Sequence, residues 1–229
     1  MSLSHSSPIR ADAANSPEAV LSKPLPSARL RAETAEMHSR VEKAFERRQF
    51  FRSRDTYVEC LEVYLSIFQA AEEAILARLS RWSDAEQSSA NTNNEAELCA
   101  MFASRTPQLA GDLQALKVER AGLRARSVDC SFIAGFVEAL GAWYVLEGSA
   151  LGGLFLSREI QNRLGITRDT GGSFFYGRGN EVQARWQGFR EQLDACLAKK
   201  SSIDIHVAVA SAQEMFRRFE SEFEQRRDA

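Results

Sequence analysis

An all-α bundle is what this sequence predicts, on three observations. Apolar residues recur in steps of three and four over long stretches, as one face of a helix requires. No run of alternating polar and apolar residues stands out as a strand. No internal repeat divides the chain. One domain is the plainest reading of 229 residues, and a hydrophobic share of 44 % suffices for a sizeable core.

Composition narrows the function classes. A net charge of −2 gives no global electrostatic reason to expect nucleic acid or a membrane surface. Cys60, Cys99, Cys130 and Cys196 show neither Cys-x-x-Cys nor a framework spacing, and read as reduced thiols of a cytosolic protein. No run approaches the roughly 18 apolar residues of a membrane helix, and the N-terminus lacks a basic-then-apolar signal pattern.

Residues 1–26 are rich in Ser, Ala and Pro and read as a mobile tail, with the domain, 27–229, opening on a helix near Ser27. Arg52-Ser-Arg-Asp is a turn in which Ser53 or Asp55 caps the next helix. That helix carries the cleanest stripe in the chain, Tyr57, Leu61, Tyr64, Phe68, Ala71, Ile75 and Leu79. Residues 83–94 form a polar loop; Glu95 to Ser104 gives a short helix, Pro107 stops or restarts it, and Leu109, Leu113 and Leu116 mark another. Lys117, Arg120, Arg124 and Arg126 are a basic group, read as a solvated face or as a contact for a donor protein or an anionic ligand. Phe174, Phe175 and Tyr176 follow a Gly-rich loop and either cover a flat ligand or plug the core. Val182, Trp186, Phe189 and Leu193 mark a helix, and Val207 through Phe223 a last long one.

The unusual stretch is Gly141-Ala-Trp-Tyr-Val-Leu-Glu-Gly-Ser-Ala-Leu-Gly-Gly-Leu154. Its flanks are helical in pattern, with Val128, Phe132, Phe136 and Leu140 before it and Phe155 and Ile160 after, and Gly165 closes it. Glycine therefore falls inside a helix at Gly148, Gly152 and Gly153, where each costs about 1 kcal/mol against Ala. Two explanations compete. Gly148 and Gly152, four apart on one face, admit a neighbouring helix; or the missing side chains let backbone lie against a flat ligand and bend there.

A second element bears on the choice. Leu30, Thr34, Met37, Val41 and Phe45 form the inward stripe of the first helix, and His38 lies at its edge, facing the core. Such a histidine is either a satisfied core residue or a ligand. Glu42, one turn on, can accept the imidazole N–H and leave the other nitrogen free, as in metal-bound histidines. With histidine only at 5, 38 and 206, a multi-histidine site is not available, whereas a single axial histidine suits a heme.

Taken together, these residues resemble the heme oxygenase family. Its proximal pattern, Leu-Lys/Arg-x-x-Thr-x-x-x-His-x-x-x-Glu, is matched by Leu30, Arg31, Thr34, His38 and Glu42. Its Gly-rich kinked distal helix is matched by Glu147-Gly-Ser-Ala-Leu-Gly-Gly153, in a form like that of the bacterial, biliverdin-producing branch. Ser173-Phe-Phe-Tyr-Gly and Arg185-Trp-Gln-Gly-Phe-Arg190 are similar in order and spacing, so the resemblance covers about residues 28 to 225.

The resemblance implies an all-α, single-domain bundle of the heme oxygenase type. It also implies an oxidoreductase that cleaves heme to biliverdin with release of CO and ferrous iron, using O2 and an external reductant: a ferredoxin, a flavoprotein or ascorbate. Heme is then substrate and cofactor together, with His38 as the iron ligand and Glu42 orienting it. Catalytic roles fall to Gly148, Ser149 and Gly152, whose backbone and hydroxyl lie over the ring and steer oxygen to one meso edge; Gly153 completes the heme-facing segment. Arg31, Tyr144, Arg185 and Arg190 are the candidates for the propionates. One position departs from the mammalian-type branch, where an Asp follows the first distal glycine; here it is Ser149, and the proton path must differ. Implied partners are heme, an electron-donor protein and a bilin-binding photoreceptor receiving the product, with iron acquisition the other use. The alternatives are a non-catalytic heme-binding protein for storage or sensing, and a non-heme enzyme on the same fold. The latter needs inward carboxylates or a reactive thiol, and Cys130 and Glu138 do not assemble into such a site.

Overall fold

The computed structural model describes residues 24–86, 93–118 and 127–225, and every regular element among them is helical. In order these are α1 (Pro26–Arg48), α2 (Arg54–Glu86), α3 (Asn93–Ala100), α4 (Thr106–Ala115), α5 (Phe136–Gly148), α6 (Gly153–Leu164), the single-turn α7 (Ser173–Tyr176), α8 (Val182–Leu197) and α9 (Ser202–Glu224). The all-α expectation is met. The expected tail, residues 1–26, lies outside the described residues up to 23, as do Arg120, Arg124 and Arg126 of the basic group; Lys117 is exposed, in a left-handed turn at φ 58°.

Local chemistry sets the ends. Pro26 opens α1, where a missing N–H costs nothing. Leu25 provides no side-chain cap, and the Ser27 amide and hydroxyl instead donate to Asp194 of α8 at 2.6 and 2.7 Å. Of the two expected caps for α2, Ser53 is the one used: the Thr56 amide donates to its hydroxyl and its own amide donates to the Thr56 hydroxyl. Pro107 lies in the first turn of α4. The last helix starts earlier than its apolar pattern, because Ser201 and Asp204 form a capping box ahead of Val207.

The helix expected from Val128 begins only at Phe136. The Ser131 amide donates to the Asp129 carboxylate at 2.9 Å, an Asx turn that competes with helix, and Gly135 before α5 is extended at φ −141°. Val128 is buried and Phe132 packs on the core all the same, which is why the spacing read as helical.

α5 is central, packed against α9 and α2, while α1 lies on α9 and α8, α3 on α8, and α4 on α2 and α7. The stripe of α2 is fully internal, and with Phe174, Phe175, Phe219 and Phe223 it makes an aromatic core, Phe68 to Phe174 being 5.1 Å between ring centroids. Phe174 and Phe175 thus plug the core, and Tyr176 alone of that trio is at the surface. Taken together, Phe136–Leu164 is long and apolar enough in composition to cross a membrane, a run the sequence reading passed over; half of it is buried, as suits a core helix. The four thiols are unpaired, and burial pushes Cys99 and Cys130 up to about 11 and Cys196 up to about 12.

The tightest helix contact is at Gly141, where a Cβ would collide with the backbone carbonyl of Ala208 on α9. Gly141→Ala should therefore lower stability by about 2 kcal/mol, overpacking outweighing the gain in helix propensity, and depress the melting temperature by roughly 4–8 °C. Thermal denaturation followed by circular dichroism measures it.

Candidate functional site

At 100° per residue, Arg31, His38 and Glu42 fall on one flank of α1, about 70 to 115° from the centre of the Leu30, Thr34, Met37 stripe. That geometry corrects the expectation that His38 faces the core. Its side chain is 58 % exposed, with the ring edge-on to Phe216 of α9 at 5.7 Å between centroids. Leu30 and Thr34 at the stripe's centre are buried. Glu42 lies beside the ring, its carboxylate 3.6 Å from Nδ1, near but beyond hydrogen-bond distance.

The glycines of the α5–α6 segment divide into two kinds. A Cβ on Gly153 would collide with the Phe175 carbonyl, as one on Gly141 would with Ala208. These two let protein backbone approach. Around Gly148 a Cβ would meet only the tip of Trp186, at 3.4 Å, and around Gly152 nothing within 4 Å. Helix packing therefore explains Gly141 and Gly153 and leaves Gly148 and Gly152 unexplained. Between the two anchors the helix tightens to a 3-10 turn over Ser149–Gly152. The Ser149 hydroxyl donates to the Leu146 carbonyl at 2.7 Å, toward its own helix.

Tyr144 brings the remaining candidates together. Burial raises its phenol above the usual range, while the cations Arg190 of α8 and Arg31 of α1 oppose that and Asp194 adds to it. The charges that bear on this phenol thus come from α1 and α8, the two helices beside α5 that carry Arg31 and Arg190. Asp194 holds Ser27 as well, which ties the start of α1, and with it Arg31, to α8. The Nε of Arg190 is buried without a hydrogen-bond partner, and its guanidinium sits over Trp186 at 5.9 Å. A buried donor lacking an acceptor costs about 1–3 kcal/mol, which makes Arg190 a candidate to meet an anionic or carbonyl oxygen. Arg185 differs: it pairs with Glu147 at 2.8 Å and donates to the Met101 carbonyl, a clamp between α8, α5 and the end of α3.

Sequence reasoning missed Arg105, Glu72 and Asp112. Glu72, buried on α2, accepts from the Arg105 amide at 2.7 Å and from Ser104 and Thr106, capping α4 from outside. Asp112 accepts the Ser173 and Phe174 amides at 2.9 and 2.8 Å and so seats the loop that carries Phe175. The one available signal was acidic residues on the buried faces of their helices; the partners lie 33 and 61 residues away and could not be inferred.

The arrangement is a helical bundle with an exposed histidine on α1, a helix turn bearing glycines that packing does not require, and an arginine on α8 with a buried donor unsatisfied. The chain belongs to the heme oxygenase family: the family model described as "Heme oxygenase" matches residues 26–225, and the chain is accordingly an enzyme that degrades heme. No curated protein matches it by sequence. Among solved structures it is similar to the NO- and CO-bound heme oxygenase of Neisseria meningitidis, at 22 % identity and a TM-score of 0.67 over 90 % of this chain and 96 % of that one. It is similar also to heme oxygenase 2 of Chlamydomonas reinhardtii without heme, at 18 % identity, TM-score 0.69, and coverage of 87 % and 96 %. The heme oxygenase of Leptospira interrogans gives 19 %, 0.69, and 88 % and 99 %. At these identities the likeness is one of fold.

Gly152→Ala should leave the heme-free protein as stable as wild type, or about 1 kcal/mol more so, because no atom stands near the added methyl. Gly153→Ala should destabilise it. Paired melting curves of the two variants distinguish a glycine kept for protein packing from one that packing does not require.

Proposed function

We propose that this chain cleaves heme oxidatively to biliverdin, releasing CO and ferrous iron, as a cytoplasmic enzyme of the bacterial branch. The observation that carries the reading is the buried Nε of Arg190 lacking an acceptor, on a helix packed against the two that carry Arg31 and Tyr144. Arg190, Arg31 and the Tyr144 phenol would serve the two propionates of heme. His38 would ligate the iron, and Glu42, 3.6 Å from Nδ1, would close on that nitrogen to orient the ring. Gly148 and Gly152 let backbone lie against the ring, and Gly153 sets that depth through Phe175. Arg185 acts indirectly, by fixing Glu147 next to Gly148.

Heme, when bound, supplies the iron that activates O2 and the ring that is opened. The protein's share is to orient the ring, to leave backbone rather than an acidic side chain over its distal face, and to hold Ser149 at the turn. Electrons come from an external donor, a ferredoxin, a flavoprotein or ascorbate. The product serves either iron acquisition or a bilin-binding photoreceptor.

The test is hemin titration followed by ascorbate in air, on wild type and His38→Ala. Wild type should give a Soret band that decays into bilin absorption, with both stages impaired in the variant. A band that persists with a competent reductase makes the chain a heme carrier; no band removes the reading. Arg190→Gln should weaken hemin binding by roughly 10- to 100-fold without lowering the melting temperature of the heme-free protein, the loss of one charge-assisted contact. Fluorescence quenching of Trp186 on titration reads it.

A further inference from the structure

A group of aromatic rings stands in contact behind Gly148. Trp186 of α8 is half-buried, and its ring tip is what a Cβ on Gly148 would meet, at 3.4 Å. Its ring lies 5.2 Å from that of Tyr144 on α5 and 5.8 Å, stacked, from that of Phe189. Phe189 in turn lies 4.9 Å from Trp143, and Trp143 lies 5.3 Å from Phe102.

Packing alone would be served as well by Phe or Leu. Indole and phenol, however, are the rings that give up an electron most readily, and an oxidised indole is a strong acid at its N–H. The charges beside the two indoles differ in sign. The Arg190 guanidinium sits over Trp186, 5.9 Å from the ring centroid, and repels a second positive charge on that ring. Trp143 is 2 % exposed, and its Nε1 donates to one carboxylate oxygen of Glu147 at 3.4 Å, while the other oxygen accepts from Arg185. Positive charge is therefore favoured on Trp143, and the proton acceptor is already in place. Tyr144 is the poorer sink, because burial raises its phenol above the usual range and so holds the proton on.

We propose that Trp186, Phe189 and Trp143 form a one-electron relay that draws an oxidising equivalent away from the heme site and settles it on Trp143 as a neutral radical. This function is separate from heme cleavage but rests on the heme reading for its source. The oxidant is a peroxide that reaches bound heme. Its reduction to two waters takes two electrons and two protons; heme supplies one electron, the indole pair the other, and solvent the protons. Trp186 loses its electron and regains one from Trp143 across Phe189. The Nε1 proton of Trp143 passes to Glu147, and no bond to carbon forms.

The test uses the full chain in a Trp82→Phe background, so that every indole signal belongs to the pair. Melting curves serve as the folding control. In the first arm the heme-free protein is oxidised by photogenerated tris(bipyridine)ruthenium(III). Electron paramagnetic resonance reads the radical, and peptide mass spectrometry locates the oxidised residue. Oxidation should favour buried Trp143 over the more exposed Trp186 by roughly tenfold, and Trp186→Phe should cut the Trp143 yield by about the same factor. Glu147→Gln should leave the radical protonated, seen as the change in visible absorbance from neutral to cationic indole radical. Oxidation confined to Trp186, or a Trp143 yield that Trp186→Phe leaves unchanged, overturns the relay. Should Trp186→Phe not fold, the ratio of the two residues in the parent protein decides. In the second arm the hemin-loaded protein is treated with hydrogen peroxide and frozen. The same tryptophan radical is expected, and a Soret band without it overturns the route from the heme site. Absence of any Soret band removes the heme reading, and the first arm still decides the relay.

Discussion

Two glycine contacts fix the helix on which everything else depends. α5 lies against α9 because Gly141 has no side chain to strike the Ala208 carbonyl, and α6 lies against the loop because Gly153 has none to strike the Phe175 carbonyl. Pinned at both points, the helix carries between them Gly148 and Gly152, glycines that no packing contact requires, and there it tightens to a 3-10 turn. A helix held at its ends and open in its middle offers backbone to a ligand at a depth the core determines.

The neighbouring elements serve that geometry. Asp112 seats the loop whose Phe175 carbonyl is one of the two anchors, and Tyr57 donates to Gly171 of the same loop at 2.8 Å. Arg185 steadies Glu147 on one side of the turn, and Arg105 steadies Ser149 on the other. Asp194 performs the matching service for the first helix, standing in for a local cap at Ser27 and thereby tying the helix that carries Arg31 to the one that carries Arg190. Most of these are buried or half-buried polar side chains bonded to backbone, which orient segments more than they add net stability.

Much of the fold was legible because it is amphipathic. The α2 stripe, Pro26 and Pro107, the Gly165 cap and the long last helix all follow from local spacing and cap chemistry, each acting over one or two turns. The false start at Val128 shows the limit of that signal. Val128 and Phe132 are buried in a loop, and the competing Asx turn at Asp129 is a short-range preference that periodicity ignores. His38 erred in the opposite sense: its register was right, but the edge of a stripe is where one residue's rotation decides between core and surface.

By itself the sequence determined the helices, the motif residues Arg31, His38, Glu42 and Gly148 to Gly153, and the family they belong to, since all of these are properties of spacing along one helix at a time. Only the tertiary structure decided which glycines serve packing and which do not, that Arg185 is taken up by Glu147 while Arg190 keeps a buried donor free, and that Arg105 lies under Ser149. Those outcomes join residues 38, 44 and 69 positions apart, and a polar side chain with several equally good partners carries no local mark of the one the packing will bring to it.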